Sequence, residues 1–483
     1  MIKLIFIMTL VCLLATAGLT GTSAQALPPA VAAALKQAGL PENAVAVLVQ
    51  DADGIHPARL SHRADTLMNP ASVMKLVTTY AALDLLGPAF VWKTPVWADG
   101  TVIGDTLKGN LVLMGRGDPS LVLERLWLLL RRVQGLGIRN IDGDIVLDRR
   151  AFAVPQTDPA DFDDAPLRPY NVASDALLIN FKSVLLTFVP DLQANVARVL
   201  SDPPLWGVKV TPQVPLNMAA SACGDYRTAL KANFSDPLHI RLNGSYPAVC
   251  GEQIWPVAYV DPASYNARAI AGLWHTMGGG LTGQVRDGTA PPTSPSFVVS
   301  SPPLSSVIRD INKFSNNVMA QQVFLTLGLE ASASHTGSPD AARAVLRQWW
   351  QTRISPHHAS GLVSDPALDD TPVFDNGSGL SRTGRISPRA LGRLLQAAYA
   401  QPLMPELMAS LPMVGVDGTL KRSPTVAGSA HLKTGSLQDV MAVAGYVHAA
   451  SGKRYAVAAI VNHPRAAQAR PALDALLAWT LQQ

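Results

Sequence analysis

The sequence predicts a multidomain α+β protein in which a large β-rich insertion divides a domain built from helices and an antiparallel sheet. Three observations support this fold class. The chain has 483 residues, more than one hydrophobic core usually supports. Residues 72–86 are apolar on nearly every side, as in a helix enclosed by other elements. From residue 94 short alternating runs between glycines indicate strands, and helical periodicity returns at residue 304.

The enclosed helix and the C-terminal sheet have recognisable limits. Asn69 is a favoured N-cap residue, Pro70 suits a first helical position, and Gly87 is a typical helix end. Residues 441–447 and 455–461 are predicted to form a hairpin across Ala450-Ser451-Gly452. A closing amphipathic helix follows, and its leucines are expected to pack against that sheet.

Changes of pattern along the chain predict the domain boundaries. A proline-rich stretch, residues 291–295, is typical of a linker between the insertion and the returning helices. The predicted segments are a signal peptide at 1–26, a catalytic domain at 27–93 and 296–483, a β-rich second domain at 94–175 and 257–295, and a small third domain at 176–256 nested within the second.

The N-terminus has the features of a cleaved secretory signal peptide. Lys3 supplies a positive charge and residues 4–15 form an apolar run. Residues 24–26, Ala-Gln-Ala, offer a cleavage site, so the mature chain would begin at Leu27. A retained membrane anchor is the alternative, but the apolar run is short. No other stretch approaches about 18 uncharged apolar residues, so no transmembrane segment is expected in the mature chain.

Cysteine content and charge narrow the classes of function. Outside the leader the chain has only Cys223 and Cys250, and an isolated pair in an exported protein predicts a disulfide. The compartment would then be oxidising, which in a bacterium means the periplasm or cell surface. Two cysteines without a histidine cluster give no metal site. A net charge of +4 without a long basic run argues against nucleic-acid binding.

Three short motifs occur in order along the chain. They are Ser72-Val73-Met74-Lys75, Ser315-Asn316-Asn317 and Lys433-Thr434-Gly435. Each alone has an ordinary structural explanation, as a helix start, a polar turn or a strand entry. Together they spell the Ser-x-x-Lys, Ser-x-Asn and Lys-Thr-Gly set of the penicillin-recognising acyl-enzymes.

The first motif contains a nucleophile and a base. Residues three apart on a helix share one face, so Lys75 can lie beside the hydroxyl of Ser72. An enclosed lysine has a lowered pKa and can take the serine proton. Lys75 is the only charge in residues 71–82, and a buried unpaired lysine is costly, which favours a catalytic role. Backbone N–H groups of Ser72 and Ser436 could form the oxyanion hole.

The other two motifs supply the opposite wall of a cleft. The hydroxyl of Ser315 can relay a proton to the departing amine, and the amide of Asn317 can hold the substrate backbone. Lys433 can share this proton transfer and bind a substrate carboxylate, beside Thr434. Gly435 has no side chain and lets an extended peptide pair along its strand.

The spacing of the motifs resembles that of the class C low-molecular-mass penicillin-binding proteins, which are D-alanyl-D-alanine carboxypeptidases and endopeptidases of the bacterial cell wall. From Ser72 to Ser315 the separation is 315 − 72 = 243 residues, far wider than in class A β-lactamases. Further segments similar to this family are 115–119, 301–304, 375–382 and 417–420. The resemblance implies a β-lactamase/transpeptidase-like catalytic domain and an acyl-enzyme mechanism with no metal or organic cofactor.

The resemblance also implies the binding partners, which are peptidoglycan stem peptides containing meso-diaminopimelate and β-lactam antibiotics. Arg382 would lie on the carboxylate side of the diaminopimelate side chain, and Gln438 would line the same site. An acidic residue of the insertion would meet the ammonium group. Asp164 is the residue we select, Asp163 is its alternative, and an exposed loop carboxylate is the ordinary interpretation of either.

Two other functions use the same sequence features. A β-lactamase built from these motifs would hydrolyse penicillin instead of staying acylated, although the long insertion argues against it. A catalytically idle wall-binding protein would not need Ser72, Lys75 and Lys433 together. The sequence leaves open whether Lys75 or Lys433 is the resting base.

Overall fold

The computed structural model describes residues 25–355 and 371–483. Residues 1–24, most of the predicted signal peptide, lie outside the described residues. In the described part of the chain, none of the helices combines the length and the apolar character needed to span a membrane. The multidomain α+β architecture predicted from the sequence is confirmed, while the individual domain boundaries stay a prediction.

The helices fall mainly at the two ends of the chain. Helical periodicity in the sequence places them because their apolar residues face a shared core. The α-helices of the described residues are α1 (Pro29–Gln37), α2 (Lys75–Leu86), α3 (Leu123–Gly135), α4 (Tyr226–Ala229), α5 (Tyr265–Thr276), α6 (Leu304–Phe314), α7 (Asn317–Ala331), α8 (Pro339–Arg353), α9 (Pro388–Tyr399), α10 (Met404–Ser410) and α11 (Arg470–Leu481).

The strands separate into a catalytic-domain set at the two ends of the chain and an insertion set between them. They are β1 (Val45–Asp51), β2 (Leu60–His62), β3 (Lys93–Ile103), β4 (Thr106–Met114), β5 (Asn140–Asp142), β6 (Ile145–Asp148), β7 (Ser183–Asp191), β8 (Val196–Asp202), β9 (Lys209–Val210), β10 (Gln213–Asn217), β11 (Ala232–Asp236), β12 (His239–Leu242), β13 (Tyr246–Pro247), β14 (Gln253–Ala258), β15 (Gly280–Leu281), β16 (Val285–Asp287), β17 (Phe297–Ser300), β18 (Ala430–Leu437), β19 (Val440–His448) and β20 (Arg454–Asn462).

The catalytic-domain sheet has five antiparallel strands in the order β18-β19-β20-β1-β2. The predicted hairpin is present as β19 and β20, with Val443 opposite Ala459. One face of the sheet packs against α1 and α11, where Leu473 and Leu476 are buried. The other face packs against α2, α7 and α9, so the sheet lies between two helical layers. β18 ends the strand order. Its outer edge is bonded to residues 412–414 at Ala430–Leu432, and the remainder of that edge can line a cleft.

The insertion contains the remaining sheets. A seven-stranded sheet is built from β3, β4, β5, β6, β15, β16 and β17, and two smaller sheets are built from β7 to β14. One continuous hydrophobic cluster joins them, since Leu130 and Ile141 share it with Phe188 and Tyr246. Cys223 and Cys250 form a disulfide within the smaller sheets' region. The insertion therefore has one main core of its own, beside a small separate cluster of Trp97, Val112 and Val146.

The start of the enclosed helix differs from the prediction. The α-helix begins at Lys75 and is preceded by a 3-10 turn, Ala71–Met74. Ala71 has a left-handed φ of 47°, which interrupts helical geometry just after Pro70. Asn69 therefore does not cap the α-helix; its side-chain oxygen accepts from the N–H of Ala71 at 2.9 Å. The predicted end is correct, because Gly87 terminates α2 with a positive φ of 82°.

Candidate active site

Asn69 connects the turn that carries Ser72 to two other parts of the domain. The side chain of Asn69 donates to the carbonyl of Ser381 at 2.9 Å. Its backbone exchanges two hydrogen bonds with the Asn462 amide, at 2.8 and 2.9 Å. These contacts fix the turn between a loop of the helical layer and the end of β20. Ser72 is thereby held half-buried at the base of a cleft.

Lys75 lies directly beside Ser72, as the i, i+3 spacing predicts. Its side chain has 0% exposure, and Nζ donates to Ser72 Oγ at 2.9 Å. Two further acceptors hold the ammonium group, Asn317 Oδ1 at 2.6 Å and the carbonyl of Ser378 at 2.5 Å. Burial holds the pKa of Lys75 well below its usual value, and the nearby charge of Lys433 lowers it further. A neutral Lys75 could accept the proton of Ser72.

The Ser315 motif lies at a sharp break between two helices. Helix α6 ends at Phe314, and Ser315 adopts a left-handed conformation with φ 56° and ψ 38°. Asn316 caps α7, accepting from the N–H of Met319 at 3.0 Å. This break turns Ser315 toward β18 and leaves Asn317, the first residue of α7, facing Lys75.

The Lys433 motif forms the third side of the cleft, on edge strand β18. Lys433 has 0% exposure, and its Nζ donates to Ser315 Oγ at 2.9 Å and to the carbonyl of Thr434 at 2.7 Å. Gly435 faces the Ser72 turn so closely that a Cβ atom there would lie 2.3 Å from the carbonyl oxygen of Pro70. Only glycine permits this approach of strand and turn. Ser436, next along the strand, is exposed.

Burial lowers the pKa of Lys433 from 10.5 to about 7. Between these values the unfolded chain binds a proton that the folded protein has released, so stability rises with pH across that window. The cost of burying the charge is fully present below the folded pKa and disappears above the unfolded one. This lysine therefore opposes folding most strongly at acidic and neutral pH.

We expect Lys433→Met to raise the unfolding free energy, relative to the wild type, by roughly 2–3 kcal/mol more at about pH 6 than at about pH 9. The variant also loses the hydrogen bonds to Ser315 and Thr434, but that loss is similar at both pH values. Denaturant unfolding of both proteins at the two pH values measures the difference. A pH-independent difference would contradict the lowered pKa of Lys433.

Sequence reasoning missed one functional group of this cleft, the carbonyl of Ser378. The segment containing it, residues 375–382, is similar to the family, but that similarity assigned no role to this carbonyl. A backbone carbonyl has no sequence signal of its own, but the adjacent Gly379 is informative. Its φ is +77°, and a Cβ there would lie 1.9 Å from the carbonyl oxygen of Ala71. The loop and the Ser72 turn are thus in direct backbone contact.

The predicted diaminopimelate residues lie at the rim. The guanidinium of Arg382 stacks on the ring of Phe162 at 4.6 Å, which connects the catalytic domain to the insertion. Asp163 accepts hydrogen bonds from Tyr170 and Asn171, both at 2.7 Å. The remaining rim positions are exposed, namely Asp164 and Gln438. Both carboxylates are exposed, but Asp163 is committed to contacts inside the insertion, and the choice between them stays a prediction.

The cleft brings together one serine hydroxyl, two buried lysines and a second hydroxyl. Acyl transfer requires a nucleophile, a group that can accept its proton and a route by which that proton returns, and the arrangement of these side chains can supply all three. Within residues 25–355 and 371–483, no three His, Cys, Asp or Glu side chains are grouped to hold a metal ion.

The fold and the three motifs place the chain among the class C low-molecular-mass penicillin-binding proteins. Within that class the chain belongs to the D-Ala-D-Ala carboxypeptidase 3 (S13) family, whose model matches residues 27–483. The chain is 27% identical over 388 residues to a D-alanyl-D-alanine carboxypeptidase of Actinomadura sp. strain R39, covering 77% of this chain and 69% of the relative.

Solved structures with the same fold include penicillin-binding protein 4 of Haemophilus influenzae. It has a TM-score of 0.69 at 22% identity and covers 92% of this chain and 99% of that one. A second crystal structure of that protein contains a β-lactam. A penicillin G-acylated predatory endopeptidase of Bdellovibrio bacteriovorus has a TM-score of 0.51 at 14% identity and covers 90% of this chain and 92% of that one. These likenesses show the fold.

Proposed function

We propose that this protein is a periplasmic serine D-alanyl-D-alanine carboxypeptidase and endopeptidase that cleaves peptidoglycan through an acyl-Ser72 intermediate. The observation that carries the proposal is the contact of 2.9 Å between buried Lys75 Nζ and Ser72 Oγ. Family membership and the names of the relatives support the substrate class. The predicted signal peptide supports the location.

In the proposed acylation, neutral Lys75 takes the proton of Ser72 as Oγ attacks the carbonyl carbon of the penultimate D-alanine. Backbone N–H groups of Ser72 and Ser436 stabilise the resulting oxyanion. The C–N bond then breaks, and the proton held on Lys75 passes through the hydroxyl of Ser315, which is hydrogen-bonded to Lys433, to the leaving amine, so that Lys75 is neutral again. Lys75 is favoured as the base because it contacts Ser72, whereas Lys433 contacts Ser315.

In the proposed deacylation, a water molecule attacks the ester carbonyl and gives its proton to Lys75. The C–Oγ bond breaks, and Ser72 recovers its proton. In both steps Asn317 would position the substrate backbone, because Lys75 engages its Oδ1 and leaves its NH₂ group to donate. Thr434 and Lys433 would bind the terminal carboxylate, and the free edge of β18 would pair with the peptide.

The diaminopimelate side chain is proposed to lie at the rim near Arg382. Its carboxylate would approach the guanidinium, and its ammonium group the exposed carboxylate of Asp164. With the amide nitrogen of the cross-link as the leaving group, released as a free amine, the same chemistry would cleave a D-alanyl-diaminopimelate bond, which is the endopeptidase activity.

The proposal is tested by the intact mass of the mature protein after mixing with benzylpenicillin, followed by digestion of a stem pentapeptide and a cross-linked muropeptide dimer. We expect a stable added mass equal to penicillin, release of D-alanine, and conversion of the dimer into monomers. Rapid loss of penicillin without an adduct would identify a β-lactamase. No adduct and no loss would contradict acyl transfer altogether.

The contact of Gly379 with the Ser72 turn gives a further prediction for the same assay. Gly379→Ala forces the turn or the Ser378 carbonyl to move, and we expect penicillin acylation to slow by roughly 10- to 100-fold. Gly104→Ala is the matched control, since Gly104, in the turn between β3 and β4, has a φ of +64° and a Cβ added there would meet nothing within 4 Å. The control variant would share with Gly379→Ala only the strain of placing alanine at a positive φ. Equal rates for the two variants would contradict the steric argument.

A further inference from the structure

A turn outside the three motifs connects two walls of the cleft. Residues 413–420, here called the strap, run beside the N-terminal end of β18. Val414 donates its N–H to the carbonyl of Ala430 at 3.0 Å, and Leu432 donates to the carbonyl of Pro412 at 2.9 Å. Further along the strap, the hydroxyls of Thr419 and Thr434 lie 3.0 Å apart. One side of the strap is thus attached to the strand that carries Lys433.

The other side of the strap is attached to the end of α6. Lys313 Nζ lies 2.6 Å from Asp417 Oδ2, and only 6% of the lysine side chain is exposed. Asp417 also accepts from the N–H of Met413 at 2.8 Å, which closes the strap on itself. A Cβ on Gly418 would lie 2.5 Å from the carbonyl oxygen of Lys313, so the two backbones touch. The ion pair is two residues from Ser315.

The lowered pKa of Asp417 agrees with a strong interaction between its carboxylate and Lys313. Burial opposes its ionisation, yet the hydrogen bonds from Lys313 and from the N–H of Met413 hold the pKa of Asp417 below its usual value. Asp417 is therefore ionised at neutral pH. Breaking the pair would leave Lys313 charged, nearly buried and without this partner, a costly arrangement that α6 would relieve by moving.

We propose that Lys313 and Asp417 are positioning residues, which fix Ser315 against Lys433 by fastening the end of α6 to the strap. Ser315 needs such support because it is held in a left-handed conformation that non-glycine residues adopt at a cost. Its contact with Lys433 at 2.9 Å spans two separate elements, α6 and β18. The strap is bonded to both, so it sets the distance across which the proposed proton relay operates. This inference rests on the proposed function.

The test compares Lys313→Met, Asp417→Asn and the double variant with the wild type in benzylpenicillin acylation. We expect each single variant to acylate roughly 10- to 100-fold more slowly. The double variant should be no slower than the worse single variant, because both changes break one contact. Lys313→Arg, which keeps the charge, should retain acylation within about threefold of the wild-type rate.

Lys182→Met is the matched control for loss of a buried ion pair. Lys182 lies 2.7 Å from Asp175 in the insertion, and 7% of its side chain is exposed. Loss of this ion pair should lower the melting temperature of the Lys182→Met variant, whereas the folded variant should be acylated at the wild-type rate. If Lys313→Met slowed acylation no more than Lys182→Met does, the positioning role would be wrong.

Hydrogen exchange of the peptide covering residues 311–320 separates this inference from the proposed function. We expect faster exchange there in Lys313→Met and Asp417→Asn, with little change in Lys182→Met. If the wild type formed no penicillin adduct, the proposed function would fail while exchange would still decide the role of the pair. Unchanged exchange in the two strap variants would overturn the inference.

Discussion

Replacing Ser72 with alanine is expected to abolish the penicillin adduct and to reduce D-alanine release by at least about 10⁴-fold. The variant loses the oxygen that forms the acyl bond. The rest of the cleft should persist, because Lys75 keeps its contacts with Asn317 and Ser378, at 2.6 and 2.5 Å. Intact-protein mass spectrometry and chromatography of the peptide products measure the two effects.

Ser338→Ala is a suitable control for this experiment. Ser338 caps α8, where its hydroxyl accepts from the N–H of Ala341 at 3.2 Å. Its replacement should lower the unfolding free energy by about 1 kcal/mol and leave acylation at the wild-type rate. A penicillin adduct that persisted in Ser72→Ala and mapped to another side chain would remove Ser72 from the role of nucleophile.

The approach of Ser315 to Lys433 was expected from the ordered set of motifs, whereas the contacts that periodicity predicted are those set by local geometry. Ser72 and Lys75 are three residues apart, so any helical turn brings their side chains together. The start of α2 at Lys75 could not be predicted, because nothing in the sequence indicates the left-handed conformation of Ala71 that precedes it. The antiparallel hairpin of β19 and β20 was predictable, since two apolar runs flank a glycine-containing turn within one short segment.

The contacts that sequence reasoning missed depend on distant parts of the chain. Ser378 contributes a backbone carbonyl to Lys75, and a carbonyl is the same whatever the residue. The ion pair of Lys313 and Asp417 joins residues 104 positions apart, and nothing local distinguishes either from a surface charge. The family resemblance included residues 417–420 but assigned them no contact with α6 or β18. Their attachment to both walls becomes visible when α6 and β18 are placed side by side.

Lys75→Met is expected to slow penicillin acylation by at least about 10³-fold. Methionine has a similar length and fits an apolar enclosure, so the fold should survive. The change removes the group that takes the Ser72 proton and leaves Asn317 Oδ1 and the Ser378 carbonyl without their lysine donor. Each unpartnered buried acceptor costs about 1–3 kcal/mol, offset by relief of the buried amine. Acylation rate constants with benzylpenicillin, together with melting temperatures, measure both consequences.

Lys75→Arg separates positive charge from basicity. Arginine keeps a cation near Ser72 but does not release its proton in the accessible pH range, so it should fail to restore acylation. The wild-type rate should rise with pH as Lys75 becomes neutral, whereas the residual rate of Lys75→Met should lack that rise. If Lys75→Met instead acylated at the wild-type rate with an unchanged pH dependence, the proton of Ser72 would have to leave through Ser315 to Lys433. The contact of Ser315 with Lys433 would then be the base system, and Lys75 would serve only to hold Asn317 and the 375–382 loop in place.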